Sequence, residues 1–369
     1  MIYLDNAATT PMSQRALETM LAVAKENFGN PSSIHGMGRR ANQILRQARQ
    51  TIADYLKVAP STVIFTSGGT ESNNLAIRSI QNLAQTGHII TSAMEHHSVL
   101  HTMEYMESQG YEVTYLKPLA GKTVITAAQV QEALRSDTLL VSIMYANNET
   151  GSMMETQQIG QVLEGHRALF HVDAVQVFGK ISLEPRTLGI DFLSASGHKF
   201  HGPKGVGLLY SKNGKAAKLL FGGDQEDKRR AGTENLAGIA AMAEALAENQ
   251  EQVAENLAKV ASLREALISA LPEGAYVTEA EDQLPHVINL GYPGSRNELL
   301  LTRLDMEGIA VSTGSACTAG AVEPSHVLAA IYGKDSPRLR ESIRVSLSEM
   351  NNLEEVSFFL KKYKEILGV

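Results

Sequence analysis

Ser194-Ala195-Ser196-Gly197-His198-Lys199-Phe200-His201-Gly202-Pro203-Lys204-Gly205 is the stretch on which the reading of the fold turns. The apolar run Ile190-Asp191-Phe192-Leu193 before it and Val206-Gly207-Leu208-Leu209-Tyr210 after it both read as strands, so Lys199 falls in a polar, sharply turning loop at a strand end. Loops at strand ends are where α/β enzymes place reactive groups. One lysine in one loop is by itself only a solvated cation, and its meaning depends on what the rest of the chain supplies.

Working outward, short β-branched runs at 62–66, 88–92, 111–116, 138–145 and 168–172 alternate with helical stretches near 71–85, 96–109, 126–135 and 155–164. Strands interleaved with helices predict an α/β fold, a mostly parallel sheet covered by helices. Before them, Ser13 reads as the N-cap of a helix with Leu17, Met20, Leu21 and Ala24 on one face, and Arg39 to Lys57 forms a second amphipathic helix. Thr126 and Gln129 have capping-box spacing. Leu236 to Ala270 reads as one or two connecting helices. Strand-like pieces at 286–290, 308–312 and 343–347, with helices near 297–304, 323–332 and 352–366, predict a smaller α+β domain. The expected division is a large domain over 12–250 and a small one built from 1–11 and 251–369.

The 369 residues, 43% apolar and 20% charged, suffice for two globular domains. A net charge of -7 offers no basic face for nucleic acid or an anionic membrane. The start, Met1-Ile2-Tyr3-Leu4-Asp5, lacks the basic and apolar regions of a signal peptide, and the expected location is the cytoplasm. The single cysteine, Cys317, excludes a disulfide framework and a Cys-based metal site within one chain. Gly, Ser, Ala and Thr neighbours mark it as a loop thiol rather than a core residue.

Four further stretches put polar groups directly after apolar runs. Thr66-Ser67-Gly68-Gly69-Thr70-Glu71-Ser72 joins a strand to a helix and leaves bare backbone N–H groups at a helix N-terminus, a setting that suits a phosphate, although P-loop spacing is absent. Glu95-His96-His97-Ser98 places a histidine just past a strand end, able to stack on a ring or move a proton; two adjacent histidines face different sides and make a metal pair unexpected. Met144-Tyr145-Ala146-Asn147-Asn148-Glu149-Thr150-Gly151 is the third. The fourth, Phe170-His171-Val172-Asp173-Ala174-Val175-Gln176, ends a buried strand in a carboxylate that requires a partner. Phosphate turn, ring-stacking His, buried Asp and Lys in that order form the constellation of a pyridoxal phosphate site.

At this point the sequence resembles the NifS/IscS-type cysteine desulfurases of the class V aminotransferase group, fold type I. The likeness runs from Tyr3-Leu4-Asp5-Asn6-Ala7-Ala8-Thr9-Thr10-Pro11 through Asn30-Pro31-Ser32-Ser33-Ile34-His35 and the motifs above to Arg230-Ala231-Gly232-Thr233-Glu234-Asn235 and Gly314-Ser315-Ala316-Cys317. The resemblance implies that Lys199 carries pyridoxal 5'-phosphate, that Gly69, Thr70, Ser196 and His198 hold its phosphate, and that Asp173 pairs with the ring nitrogen. It also implies that Gln176 bonds the phenolic oxygen, and that His96 stacks on the ring and serves proton transfer. Thr233 would reach the phosphate of a neighbouring subunit in a homodimer, and Asn147 with Arg344 would bind the carboxylate of L-cysteine, a task suited to a bidentate guanidinium. Lys199 would take the α-proton and Cys317 the sulfur as a persulfide, yielding alanine and passing sulfur to an acceptor protein. Selenocysteine lyase, another class V aminotransferase activity, or a cofactor-free scaffold for sulfur acceptors are the alternative readings.

The resemblance weakens at Asp224-Gln225-Glu226-Asp227-Lys228-Arg229, where Asp227 and Lys228 stand in place of the arginine and glycine usual in the family. The chain also ends at Val369 without the longer tail of the IscS subgroup. Both departures point to a specialised desulfurase, serving for example tRNA thiolation or cofactor synthesis, over a housekeeping iron–sulfur enzyme.

Overall fold

The computed structural model describes residues 1–214, 216–314 and 324–369. Twelve strands are present among them: β1 (Ile2–Tyr3), β2 (Val63–Thr66), β3 (His88–Ser92), β4 (Glu112–Leu116), β5 (Thr138–Ser142), β6 (Leu169–Asp173), β7 (Phe192–Ser196), β8 (Gly207–Ser211), β9 (Tyr276–Val277), β10 (Val287–Gly291), β11 (Ile309–Ala310) and β12 (Ser342–Ser346). Strands β2 to β8 form one seven-stranded sheet in the order β2-β8-β7-β6-β5-β3-β4. Its central pairs run parallel, and β8 alone is antiparallel to its neighbours β2 and β7. Strands β2, β3, β5 and β7 are buried throughout, as a sheet covered on both faces demands.

The covering helices include α1 (Gln14–Glu26), α2 (Gly36–Leu56), α3 (Gly69–Arg78), α4 (His97–Ser108), α5 (Ala127–Ala133) and α6 (Thr156–Val162). Ser13 caps α1 by accepting from the Ala16 N–H at 3.2 Å, and Thr126 with Gln129 forms a complete capping box on α5. The long Ala/Glu/Leu-rich run is two helices, Leu236–Glu251 and Val253–Ser269, broken at Gln252. Residues 143–145, expected to continue a strand, stay tied to β6 only, the Ile143 and Tyr145 N–H groups donating to the His171 and Asp173 carbonyls, while the Met144 N–H is taken by the Glu95 carboxylate and pairing with β3 stops at Ser142.

The apolar interior is divided in two. One core runs from Ala16 to Leu246 and takes in Leu284 and Val327. The other gathers Leu4 with residues between Val260 and Tyr363 around the antiparallel sheet β12-β10-β9. The first residues of the chain pair with this second unit through β1 and β11. The arm that follows, residues 5–13, then crosses to the large sheet. Among the described residues no helix is long and apolar enough to cross a membrane.

The segment that departs from the family pattern is conformationally unusual. Glu226, Asp227 and Lys228 all have positive φ, at 50°, 53° and 67°. For non-glycine residues this left-handed region costs about 1–2 kcal/mol each. The anchor holding it is Glu226, whose carboxylate is buried against Arg49 in a bidentate pair (2.6 and 2.8 Å) and also accepts the Phe65 N–H at 3.0 Å. Replacing Lys228 by glycine removes the steric conflict at no loss of contact to the Arg49 pair. Lys228→Gly is expected to raise the urea midpoint by the equivalent of roughly 1 kcal/mol, and an unchanged or lower midpoint would contradict the strain.

Candidate active site

The carboxyl ends of β3, β5, β6 and β7 all open on one edge of the sheet, and β2, aligned with β7 through the intervening antiparallel β8, ends there too. A cavity of about 230 Å³ lies at this edge. Lys199, in the turn after β7, lines it, and its amine donates to the backbone carbonyls of Ala7 and Ala8 at 2.7 and 2.8 Å. The arm is stitched to the same turn: the Thr10 N–H donates to the His198 carbonyl, and the His201 N–H to Thr10 Oγ1.

On one wall, Gly69 and Thr70 open α3, and Ser196 and His198 stand across from them. A Cβ on Gly69 would come within 2.7 Å of Val175 Cγ2, so only glycine leaves this wall open. Bare N–H groups at the start of a ten-residue helix, with hydroxyls beside them, form an anion cradle. The turn is braced by Glu71, which accepts the Ser67 N–H at 2.7 Å and pairs with Arg230 at 2.8 Å.

Asp173 ends β6 nearly buried, accepting from Asn73 Nδ2 at 2.8 Å and from the Val175 N–H at 3.0 Å. Asn73 also donates to Ser98 Oγ, which lies 2.8 Å from His96 Nδ1. His96 caps α4, its Nδ1 accepting the Ser98 N–H at 3.1 Å, so the neutral ring carries its proton on Nε2. Burial pushes the His96 pKa down; Asp173 opposes this and Lys199 adds to it. Burial, with help from Lys199, also lowers His198, to about 4. Both imidazoles are therefore neutral at physiological pH.

Arg344 on β12 reaches the cavity from the second unit, 2% exposed, paired with Asp5 at 2.8 Å and donating to the Asn148 carbonyl at 3.0 Å. Its Nε is buried with no partner among the described residues. A guanidinium so placed has a donor to offer an incoming carboxylate. Gln176 donates through Nε2 to the Ala7 carbonyl, and its Oε1 is likewise buried and unsatisfied.

The structure thus gathers Gly69, Thr70, His96, Asp173, Gln176, Ser196, His198, Lys199 and Arg344 around one cavity. Asn147 is a correction: its amide is spent away from the cavity, donating to the Met94 carbonyl of the loop after β3 and accepting from the Glu149 and Thr150 N–H groups of its own turn, and its neighbour Asn148 lines the cavity instead. Thr233 is exposed and not among the cavity residues. Cys317 lies outside the described residues. Ala7, Ala8, Asn73 and Ser98 also line the cavity, the first two through backbone carbonyls, which leave no side-chain signal in a sequence. His97 stacks on His101, with ring centroids 5.2 Å apart, rather than lining the cavity.

A cavity with a lysine amine, a buried carboxylate, an anion cradle and a flanking neutral histidine fits pyridoxal phosphate. Lys199 would carry it, Gly69, Thr70, Ser196 and His198 would hold the phosphate, and Asp173 would meet the ring nitrogen. The unsatisfied Gln176 Oε1 matches a ring hydroxyl. Bound there, the group supplies an electron sink for the pair left on an amino acid's α-carbon. These features define a fold type I pyridoxal phosphate enzyme. Residues 2–359 match the Aminotransferase class-V family. The chain is 42% identical to the cysteine desulfurase IscS of Methanosarcina thermophila, over 99% of this chain and 92% of that one. A solved NifS-like protein superposes with a TM-score of 0.92 at 38% identity, covering 100% and 99% of the two chains. The structure described as SspA in complex with cysteine gives 0.83 at 36%, covering 95% and 100%. The chain belongs to the class V aminotransferase family, among its cysteine desulfurases.

Two predictions follow from this geometry. Gly69→Ala is expected to weaken pyridoxal phosphate binding at least about tenfold by pushing Val175 into the cradle, with Val175→Ala restoring part of the loss in an absorbance titration. The second concerns Glu95, fully buried behind His96. Burial pushes its carboxyl from 4.5 up to about 8, Ser92 and the Met144 N–H opposing and Asp173 adding. The folded protein thus keeps a proton that the unfolded chain releases, so this group's contribution to stability falls as pH rises from about 4.5 to 8. In paired melts, Glu95→Gln is expected to gain Tm on the wild type across that window; a flat difference would show that Glu95 ionises normally.

Proposed function

We propose that this desulfurase converts L-cysteine to L-alanine and receives the sulfur on Cys317 as a persulfide. The observation that carries the proposal is the placement of Arg344 and Lys199 in one cavity, a carboxylate anchor and an amine base for one small amino acid. Arg344 holds the substrate carboxylate, and Lys199 takes the α-proton. The Cys317 thiolate bonds to the substrate sulfur as the Cβ–S bond breaks; the electron pair of that bond ends, with a proton, on the carbon that becomes the methyl of alanine. The persulfide then passes to an acceptor protein in iron–sulfur cluster assembly, tRNA thiolation or cofactor synthesis.

The working unit in this reading is a cytoplasmic homodimer in which Thr233 serves the partner's phosphate. Its exposure outside its own cavity supports this, as do the exposed apolar side chains Phe28, Ile34 and Phe221. The test is incubation with L-cysteine, with alanine quantified and the persulfide mapped by mass spectrometry. One alanine per sulfur and a persulfide on Cys317 are expected, with both lost in Cys317→Ser. A Cys317→Ser protein that still released sulfide at full rate would instead favour a lyase. Sedimentation of the holoenzyme at twice the chain mass checks the dimer.

A further inference from the structure

A second, small void is lined by the apolar Phe200, Val253 and Leu257 and by the polar side chains of Lys180, His201, His286 and Glu349. His201 is two residues past Lys199 and only 4% exposed. Its backbone is left-handed, with φ of 66°, a conformation that a non-glycine residue keeps only where its surroundings impose it.

Its N–H is held by Thr10 Oγ1 at 2.8 Å and its carbonyl by the Ser13 N–H at 3.0 Å, and its ring adds two further contacts. Nδ1 lies 2.9 Å from the Pro11 carbonyl and Nε2 lies 3.0 Å from Glu349 Oε1. A carbonyl can only accept, so Nδ1 carries a proton. A neutral ring would then turn a bare Nε2 lone pair on the carboxylate, which is repulsive; the contact is sound only if the ring or Glu349 holds a second proton. Glu349 is the one carboxylate among the residues lining the void, beside the cation Lys180. Burial pushes Glu349 up, but its bond to His201 outweighs this and holds it at about 2. Burial lowers Lys180 to about 8, with Glu349 opposing, and lowers His286 to about 3, leaving His286 neutral with Nδ1 unpartnered.

We propose that His201 is a positioning residue whose ring clamps the Lys199 turn to the N-terminal arm on one side and to the segment after β12 on the other. Its two bonds close a triangle. The arm supplies the Ala7 and Ala8 carbonyls that hold the Lys199 amine, and the Ala7 N–H is tied to Ser346 Oγ at 2.9 Å. Ser346 ends β12, which carries Arg344, and Glu349 follows three residues later. The clamp thereby sets the spacing between the base and the carboxylate anchor, groups that belong to different cores. The inference rests on the desulfurase reading only for the role of that spacing.

The test begins without catalysis. Amide exchange at residues 9–13 is expected to accelerate at least about tenfold in His201→Ala, while exchange at β5 and β6 stays unchanged. In the holoenzyme, kcat/KM for L-cysteine is expected to fall about tenfold in His201→Ala and less in Glu349→Gln. A His201→Ala variant with a lower Tm but unaltered arm exchange and kinetics would overturn the proposal. Alanine formation by the wild type, measured alongside, tests the desulfurase reading separately.

Discussion

The ammonium of Lys199, held by the carbonyls of Ala7 and Ala8, is the interaction on which the architecture of the site depends. Hydrogen bonds to a charged group contribute about 1.5–3 kcal/mol, and here the acceptors come from a segment about 190 residues away in sequence. Carbonyls can be brought to a sheet edge in this way only if the arm carrying them is itself fixed. Asp5 on Arg344, the Ala7 N–H on Ser346 and the Thr10 N–H on the His198 carbonyl fix it from three directions. The arm is therefore a structural wall of the cavity, although it contains almost no regular secondary structure.

Around that anchor the charges are arranged to keep each group in a defined state. Asp173 is stabilised as an acceptor by one side-chain amide and one backbone N–H, ready to face a cationic ring nitrogen. The chain Asp173–Asn73–Ser98–His96 ties that carboxylate to the histidine whose Nδ1 is committed to the cap of α4. Arg344 is almost wholly buried and would be costly there without Asp5, which neutralises one end of the guanidinium while Nε remains open.

Period and punctuation carried much of the fold. Alternating strands and helices, the Ser13 cap and the Thr126–Gln129 box gave elements within a few residues of those observed, because each depends on neighbours near in sequence. The exceptions are instructive. Residues 143–145 are apolar enough to extend a strand and still bond to β6, but Glu95 takes the Met144 N–H and ends the pairing with β3, and that contact spans 49 residues. Asn147 and Asn148 are adjacent and chemically identical. Only the turn, by consuming one amide in its own hydrogen bonds, decides which of them faces the cavity.

The sequence by itself determined the chemical inventory: a lysine after a strand, a strand-ending aspartate, a Gly-Gly-Thr helix start, a histidine just past a strand end and one thiol. Reactive side chains at element ends are readable because end positions are marked by local rules. Tertiary structure alone decided that backbone carbonyls of the arm hold the lysine, that Arg344 arrives from a second core, and that His201 spans three segments. Those contacts join residues far apart in the chain, and a carbonyl group, common to every residue, has no signature until folding places it.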